Sequence, residues 1–74
     1  MTDDRLDTRG KMCPLPVLLT KRRIQELKAG KVLEIVGDDP RARDNIERWA
    51  KDAGHEVLEV DDSKSDFIIK IRRS

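Results

Sequence analysis

A chain of 74 residues has room for one small domain around a single core and none for a separate catalytic lobe. Its 16 basic and 15 acidic side chains nearly cancel, which argues against a general polyanion-binding surface, so direct nucleic-acid binding is not expected. A single cysteine and a single histidine exclude an internal disulfide and a structural zinc cluster, and neither a metal nor another cofactor is expected.

The opening Met1-Thr2-Asp3-Asp4-Arg5 lacks the apolar core of a signal peptide, and no later run approaches the length of a transmembrane helix. A cytoplasmic, non-membrane location is the expectation, and it suits a free thiol. Residues Arg5 to Asp7 are candidates for a first strand, but Leu6 is their only clear apolar residue and periodicity alone does not establish it.

The run Met12-Cys13-Pro14-Leu15-Pro16 places the one thiol where an apolar helical pattern begins. Only the thiolate is a nucleophile, and the positive end of a helix dipole favours it over the thiol. With Cys13 as N-cap, Pro14 and Pro16 lack N–H groups, which leaves the Leu15 amide as the natural partner for the sulfur and implies a modestly depressed thiol pKa. The two prolines stiffen the helix start, and no second cysteine can resolve an oxidised Cys13, so its sulfur chemistry needs a second molecule. The competing reading makes Cys13 a small buried residue at a rigid turn.

Pro14 and Pro40 suit first-turn positions and Gly30 and Gly54 suit C′ positions, bracketing two helices. Val17, Thr20, Ile24 and Leu27 recur at helical spacing in the first; Ala42, Ile46, Trp49, Ala50 and Ala53 do so in the second. Lys31 to Val36, His55 to Asp61 and Asp66 to Arg72 read as strands, the last two joined as a hairpin by the polar Asp61-Asp62-Ser63-Lys64-Ser65. The expected fold is α+β, a single domain over residues 1–74: a two-layer α/β sandwich of order β-α-β-α-β-β, its mixed four-stranded sheet carrying both helices on one face.

Leu15, Leu18 and Leu19 lie well round the first helix from the Val17, Ile24, Leu27 stripe and cannot all face the same sheet. Either neighbouring chain covers them, or they form an exposed apolar docking patch beside Cys13. Lys11 puts a positive charge two residues from Cys13, suited to an anion or an acidic partner if it is more than a solvated loop lysine. Lys21, Arg22 and Arg23 form a basic run that is either a solvated helix face or a partner contact, and Arg9 is either a salt-bridging turn residue or an anion contact. His55 has no second ligand nearby for a metal, and Trp49 belongs to the apolar stripe of the second helix.

From about Arg5 to Arg73 the chain resembles the TusA/SirA-type sulfur-carrier family of sulfurtransferases, whose mark is Cys-Pro-x-Pro at the start of the first helix, here Cys13-Pro14-Leu15-Pro16. Leu6-Asp7-Thr8-Arg9-Gly10, Asp38-Asp39-Pro40 and Gly54-His55-Glu56-Val57 extend the resemblance, and Lys11 stands where the family often has an apolar residue. The resemblance implies the family's two-layer fold, which lends support to the weak first strand. It also implies that Cys13 accepts sulfane sulfur as a persulfide from a cysteine desulfurase or rhodanese-like donor and hands it to a downstream acceptor protein. Relatives serve transfer RNA thiolation, molybdenum cofactor assembly or sulfur oxidation. Such a protein is a covalent carrier rather than an enzyme with independent turnover. A thiol-based redox regulator or protein-interaction module is the alternative, with Cys13 forming a sulfenic acid or mixed disulfide.

Overall fold

Short valine- and isoleucine-rich runs between turn residues become strands because branched side chains pack well on a pleated surface. The computed structural model describes residues 2–12 and 15–74. Along the chain it contains β1 (Asp4–Asp7), α1 (Leu15–Glu26), β2 (Val32–Gly37), α2 (Pro40–Asp52), β3 (Glu56–Asp61) and β4 (Phe67–Arg72). The expected order of elements is observed, and each strand boundary lies within one residue of the expected one.

The sheet order is β1-β2-β4-β3, with β1 parallel to β2 and the other neighbours antiparallel. The expected β3–β4 hairpin forms, with a register shift between Val57 and Glu59. Alternation sends Leu33 and Ile35 of β2 and Phe67, Ile69 and Ile71 of β4 to one face, where they meet Ile24 of α1 and Ala42, Ile46 and Ala50 of α2 in a single core. Both helices therefore cover the same face, and Trp49 packs against the core from its edge.

The opposite face carries Val32, Val36 and Ile68 and, between them, a row of charges. Arg5, Glu34, Lys70 and Glu59 stand side by side across all four strands, alternating in sign. Arg5 pairs with Glu34 at 3.1 Å and Lys70 with Glu59 at 3.8 Å. Cross-strand pairs of this kind add a few tenths of a kcal/mol, up to about 1 kcal/mol, and disfavour a register slip that would oppose like charges.

Helix ends show one expectation met and one corrected. Asp39 caps α2 by accepting from the Arg41 amide, Pro40 follows in the first turn, and Gly54 closes the far end at φ +85°. There the His55 amide donates to Ala50 O and the Gly54 amide to Lys51 O, the paired bonds that a left-handed glycine permits. Gly30, by contrast, is not the C′ residue of α1, which stops at Glu26. It occupies the third position of a Lys28–Lys31 turn, at φ +87° with the Lys31 amide on Lys28 O. The end of α1 is capped from a distance: the Arg73 guanidinium donates to the carbonyls of Gln25 and Leu27, a cation at the negative end of the dipole.

Gly37 ends β2 under different constraints. A Cβ there would sit 2.7 Å from Phe67 Cε2 and 2.8 Å from Thr8 Oγ1, so the close approach of β1, β2 and β4 depends on its absence. Gly37→Ala is expected to destabilise the fold by about 1–3 kcal/mol through overpacking, read as a lower urea midpoint in equilibrium unfolding. An unchanged midpoint would show that Phe67 moves aside freely.

Candidate functional site

At the end of the sheet where β1 stops, three strand ends converge: Asp7 at the end of β1, Asp38 just past β2, and Asp66 just before β4. Thr8, fully buried, anchors the departing chain by donating both its amide (2.7 Å) and its hydroxyl (2.8 Å) to Val36 O. Beyond it the chain turns: the Lys11 amide donates to Thr8 O at 3.2 Å, and Gly10 takes the third position at φ +77°, a conformation that favours glycine.

The three strand-end carboxylates hold this turn. Asp7 accepts from the Arg9 backbone amide and from its guanidinium in a forked pair at 2.8–3.2 Å. Asp66 faces the other side of the same guanidinium at 3.6 Å. Asp38 accepts the Gly10 amide at 3.2 and 3.3 Å. Of the two readings of Arg9, the structure shows the salt-bridging turn residue. Hydrogen bonds from its side chain and backbone bring Asp7 down to about 2 from an ordinary 3.8, and the same pairing raises the Arg9 guanidinium.

Cys13 and Pro14 lie outside the described residues, and with them the expected N-cap role and the depressed thiol pKa. Their neighbours on both sides are placed. Lys11 and Met12 are exposed, Met12 at 73%. The Leu15 amide donates to Met12 O at 2.9 Å; the expected bond from this amide to the Cys13 sulfur lies outside the described residues. Pro16 is buried in the first turn of α1, where its missing N–H costs nothing, and its carbonyl accepts from Thr20 Oγ1 at 2.8 Å.

The inner face of α1 is Pro16, Thr20 and Ile24, with Val17 and Leu27 half-buried beside it. On the outer face Leu15 and Leu18 are 48% and 53% exposed, so no neighbouring chain covers them. Leu19 packs partly against the core yet lines a shallow depression with Leu15, Leu18, Lys21, Arg22 and Gln25. Lys21 and Arg22 are exposed and, like Lys11, make no ion pair among the described residues. Arg23 departs from the basic run by turning to Asp4 at 3.0 Å, which lowers that carboxyl's pKa and fastens α1 to β1. His55 is far from this end of the molecule: its Nδ1 meets the Ser74 amide at 3.2 Å and its ring lies 5.4 Å from that of Trp49.

Sequence reasoning singled out the cysteine motif and the leucines. It left aside the clamp of Asp7, Asp38 and Asp66, although a carboxylate at each of three strand ends, with glycine three residues past the first, was the available signal. The Arg9–Asp7 bond is present above pH 4 and is lost as pH falls through about 2, because the folded-state carboxyl is depressed. An NMR titration of the Asp7 carboxyl carbon is expected to show a midpoint near 2 that rises in Arg9→Ala but stays below the ordinary aspartate value, because the backbone amide of residue 9 still donates to it.

Comparison with known proteins gives one consistent result. The family model described as sulfurtransferase TusA matches residues 4–73. A protein of Methanocaldococcus jannaschii is 42% identical over 69 residues, covering 93% of this chain and 92% of its own. The sulfur carrier protein TusA of Allochromatium vinosum is 32% identical over 72 residues, covering 97% of this chain and 95% of its own. The crystal structure of a SirA-like protein from Desulfitobacterium hafniense superposes with a TM-score of 0.83 at 27% identity, over 93% of this chain and 95% of that one.

Proposed function

We infer, since this chain belongs to the sulfurtransferase TusA family, that it is a sulfur carrier whose Cys13 receives sulfane sulfur as a persulfide and passes it to a partner protein. The single observation that carries this reading is family membership across nearly the whole chain combined with one cysteine, in Cys13-Pro14-Leu15-Pro16, as the only thiol available for covalent sulfur chemistry.

The chemistry is a thiol exchange. The Cys13 thiolate attacks the terminal sulfur of a donor cysteine persulfide, a new S–S bond forms at Cys13, and the donor's S–S bond breaks to release the donor cysteine as thiolate. The proton stays with the pair, the transferred sulfur keeps its oxidation state, and no outside oxidant is needed. Delivery reverses the roles, with an acceptor thiolate attacking the outer sulfur and Cys13 leaving. A cysteine desulfurase or a rhodanese-like protein supplies a donor persulfide of this kind.

Transfer between two proteins requires their cysteines to meet, and the exposed outer face of α1 next to Cys13 supports a docking role. Leu15 and Leu18 supply apolar area; Lys21 and Arg22 at their edge favour a partner with acidic groups around its cysteine. Among the described residues no helix is long and apolar enough to cross a membrane, consistent with a carrier that meets its partners by diffusion.

Two experiments test the reading. Intact mass spectrometry after incubation with a cysteine desulfurase and cysteine is expected to show a reductant-sensitive gain of one sulfur atom in the native protein and none in Cys13→Ser; equal loading of both would overturn the site. If instead the native protein fails to load from either a desulfurase or a rhodanese with thiosulfate, yet Cys13 oxidises readily with hydrogen peroxide, the redox-regulator reading replaces this one. Leu18→Glu is expected to slow desulfurase-dependent loading about tenfold or more while leaving loading by inorganic polysulfide unchanged, the loss of one well-packed interface residue. Undiminished desulfurase loading would remove α1 from the docking surface.

A further inference from the structure

We propose that Asp38 is a positioning residue for sulfur transfer, holding the segment that leads into Cys13 through its bond to the Gly10 amide; this rests on the carrier reading above. Gly10 occupies the third position of the Thr8–Lys11 turn, whose own closing bond uses the Lys11 amide and the Thr8 carbonyl, so the Gly10 amide is left without a partner inside the turn. Asp38 fills that gap with both oxygens, at 3.2 and 3.3 Å. Twenty-eight residues separate the two along the chain, which makes the bond a tertiary tie between the cysteine-bearing segment and the β2–α2 junction.

The neighbouring interactions narrow what Asp38 is there to do. Capping of α2 belongs to Asp39, whose side chain accepts the Arg41 amide and whose carbonyl accepts the Arg43 amide. Asp7 and Asp66 act on Arg9: the Asp7 bond joins residues only two apart, and the Asp66 contact, at 3.6 Å between exposed groups, ties the Arg9 side chain and not the backbone that leads on. Thr8 fixes the start of the turn to β2. Asp38 adds a second long-range attachment of the backbone itself, two residues after Thr8 and three residues before Cys13. Two points define a direction where one leaves the exit free to swing, and protein-to-protein sulfur transfer needs the two cysteines held in line.

Asp38→Ala and Asp38→Asn remove the same charge, but only the asparagine keeps an acceptor for the Gly10 amide. Initial rates of loading by a cysteine desulfurase with cysteine are expected to fall about tenfold in Asp38→Ala and to stay within about twofold of native in Asp38→Asn, the scale on which misplacement by a fraction of an ångström slows a reaction. Alkylation of Cys13 by iodoacetamide, a small reagent that approaches from any side, is expected to change less than about twofold in either variant. Equal losses in the two variants, no loss in Asp38→Ala, or alkylation falling together with loading would each overturn the proposal. Hydrogen exchange at the Gly10 amide of the native protein is expected to be slowed despite its surface position; unprotected exchange would overturn the proposal even if Asp38→Ala fails to fold. A native protein that takes up no sulfur at all defeats the carrier reading, and exchange at Gly10 still decides whether the tie exists.

Discussion

The parallel pairing of β1 with β2 is the constraint on which the rest of the structure turns. β1 has four residues and buries one apolar side chain, Leu6. Burying a leucine contributes about 1.5–3 kcal/mol, while fixing four backbones costs about 4–8 kcal/mol. Burial of its side chains therefore cannot hold this strand. Bonds at both of its ends reinforce the ladder with β2: Asp3 accepts the Val32 amide on its side chain at 2.9 Å while donating its own amide to Val32 O, and Thr8 doubles up on Val36 O. Arg23 adds a tie from α1 to Asp4. The Thr8 hydroxyl reaches its acceptor only because Gly37 has no Cβ, so one glycine at the end of β2 sets where the chain leaves for the cysteine motif.

Helix α1 serves two purposes with its two faces. Its inner face is narrow, since Thr20 satisfies its hydroxyl on Pro16 O and so enters the core without an unpaired polar group. Its outer face keeps Leu15 and Leu18 in water, forgoing stabilisation that burial would supply. A small domain with little stability to spare retains such residues at a cost, which is why the proposed docking role is placed on this face. Arg73, just past the end of β4, reaches the last carbonyls of α1 and holds the helix at its C-terminal end.

Near-neutral net charge conceals an uneven arrangement. The open face of the sheet balances its charges strand by strand, and the Arg9 turn is balanced by carboxylates at the strand ends. These pairs are exposed and screened by water, so their role is to order the register and the turn rather than to supply the bulk of stability. Lys11, Lys21 and Arg22 are exposed and make no ion pair among the described residues, so their positive charge stays open to solvent.

The sequence by itself determined the elements, because helix punctuation and branched-residue runs act over a few residues: Pro40 and Gly54 bound α2, and β2 and β4 follow their valine and isoleucine content. It also narrowed the chemistry that can be proposed, since Cys13 is the one thiol in the chain. Local pattern misplaced the end of α1, because Gly30 signals a left-handed residue equally well at a helix end and in the following turn, and only the Arg73 cap and the 28–31 turn separate the two. Tertiary structure alone decided that Leu15 and Leu18 stay exposed, that Arg9 is neutralised while Lys21 and Arg22 are not, and that Asp38 meets Gly10. Apart from the local Arg9–Asp7 pair, each of these is a contact between residues distant in the chain or a choice between helix faces, and neither is encoded in the spacing of neighbours.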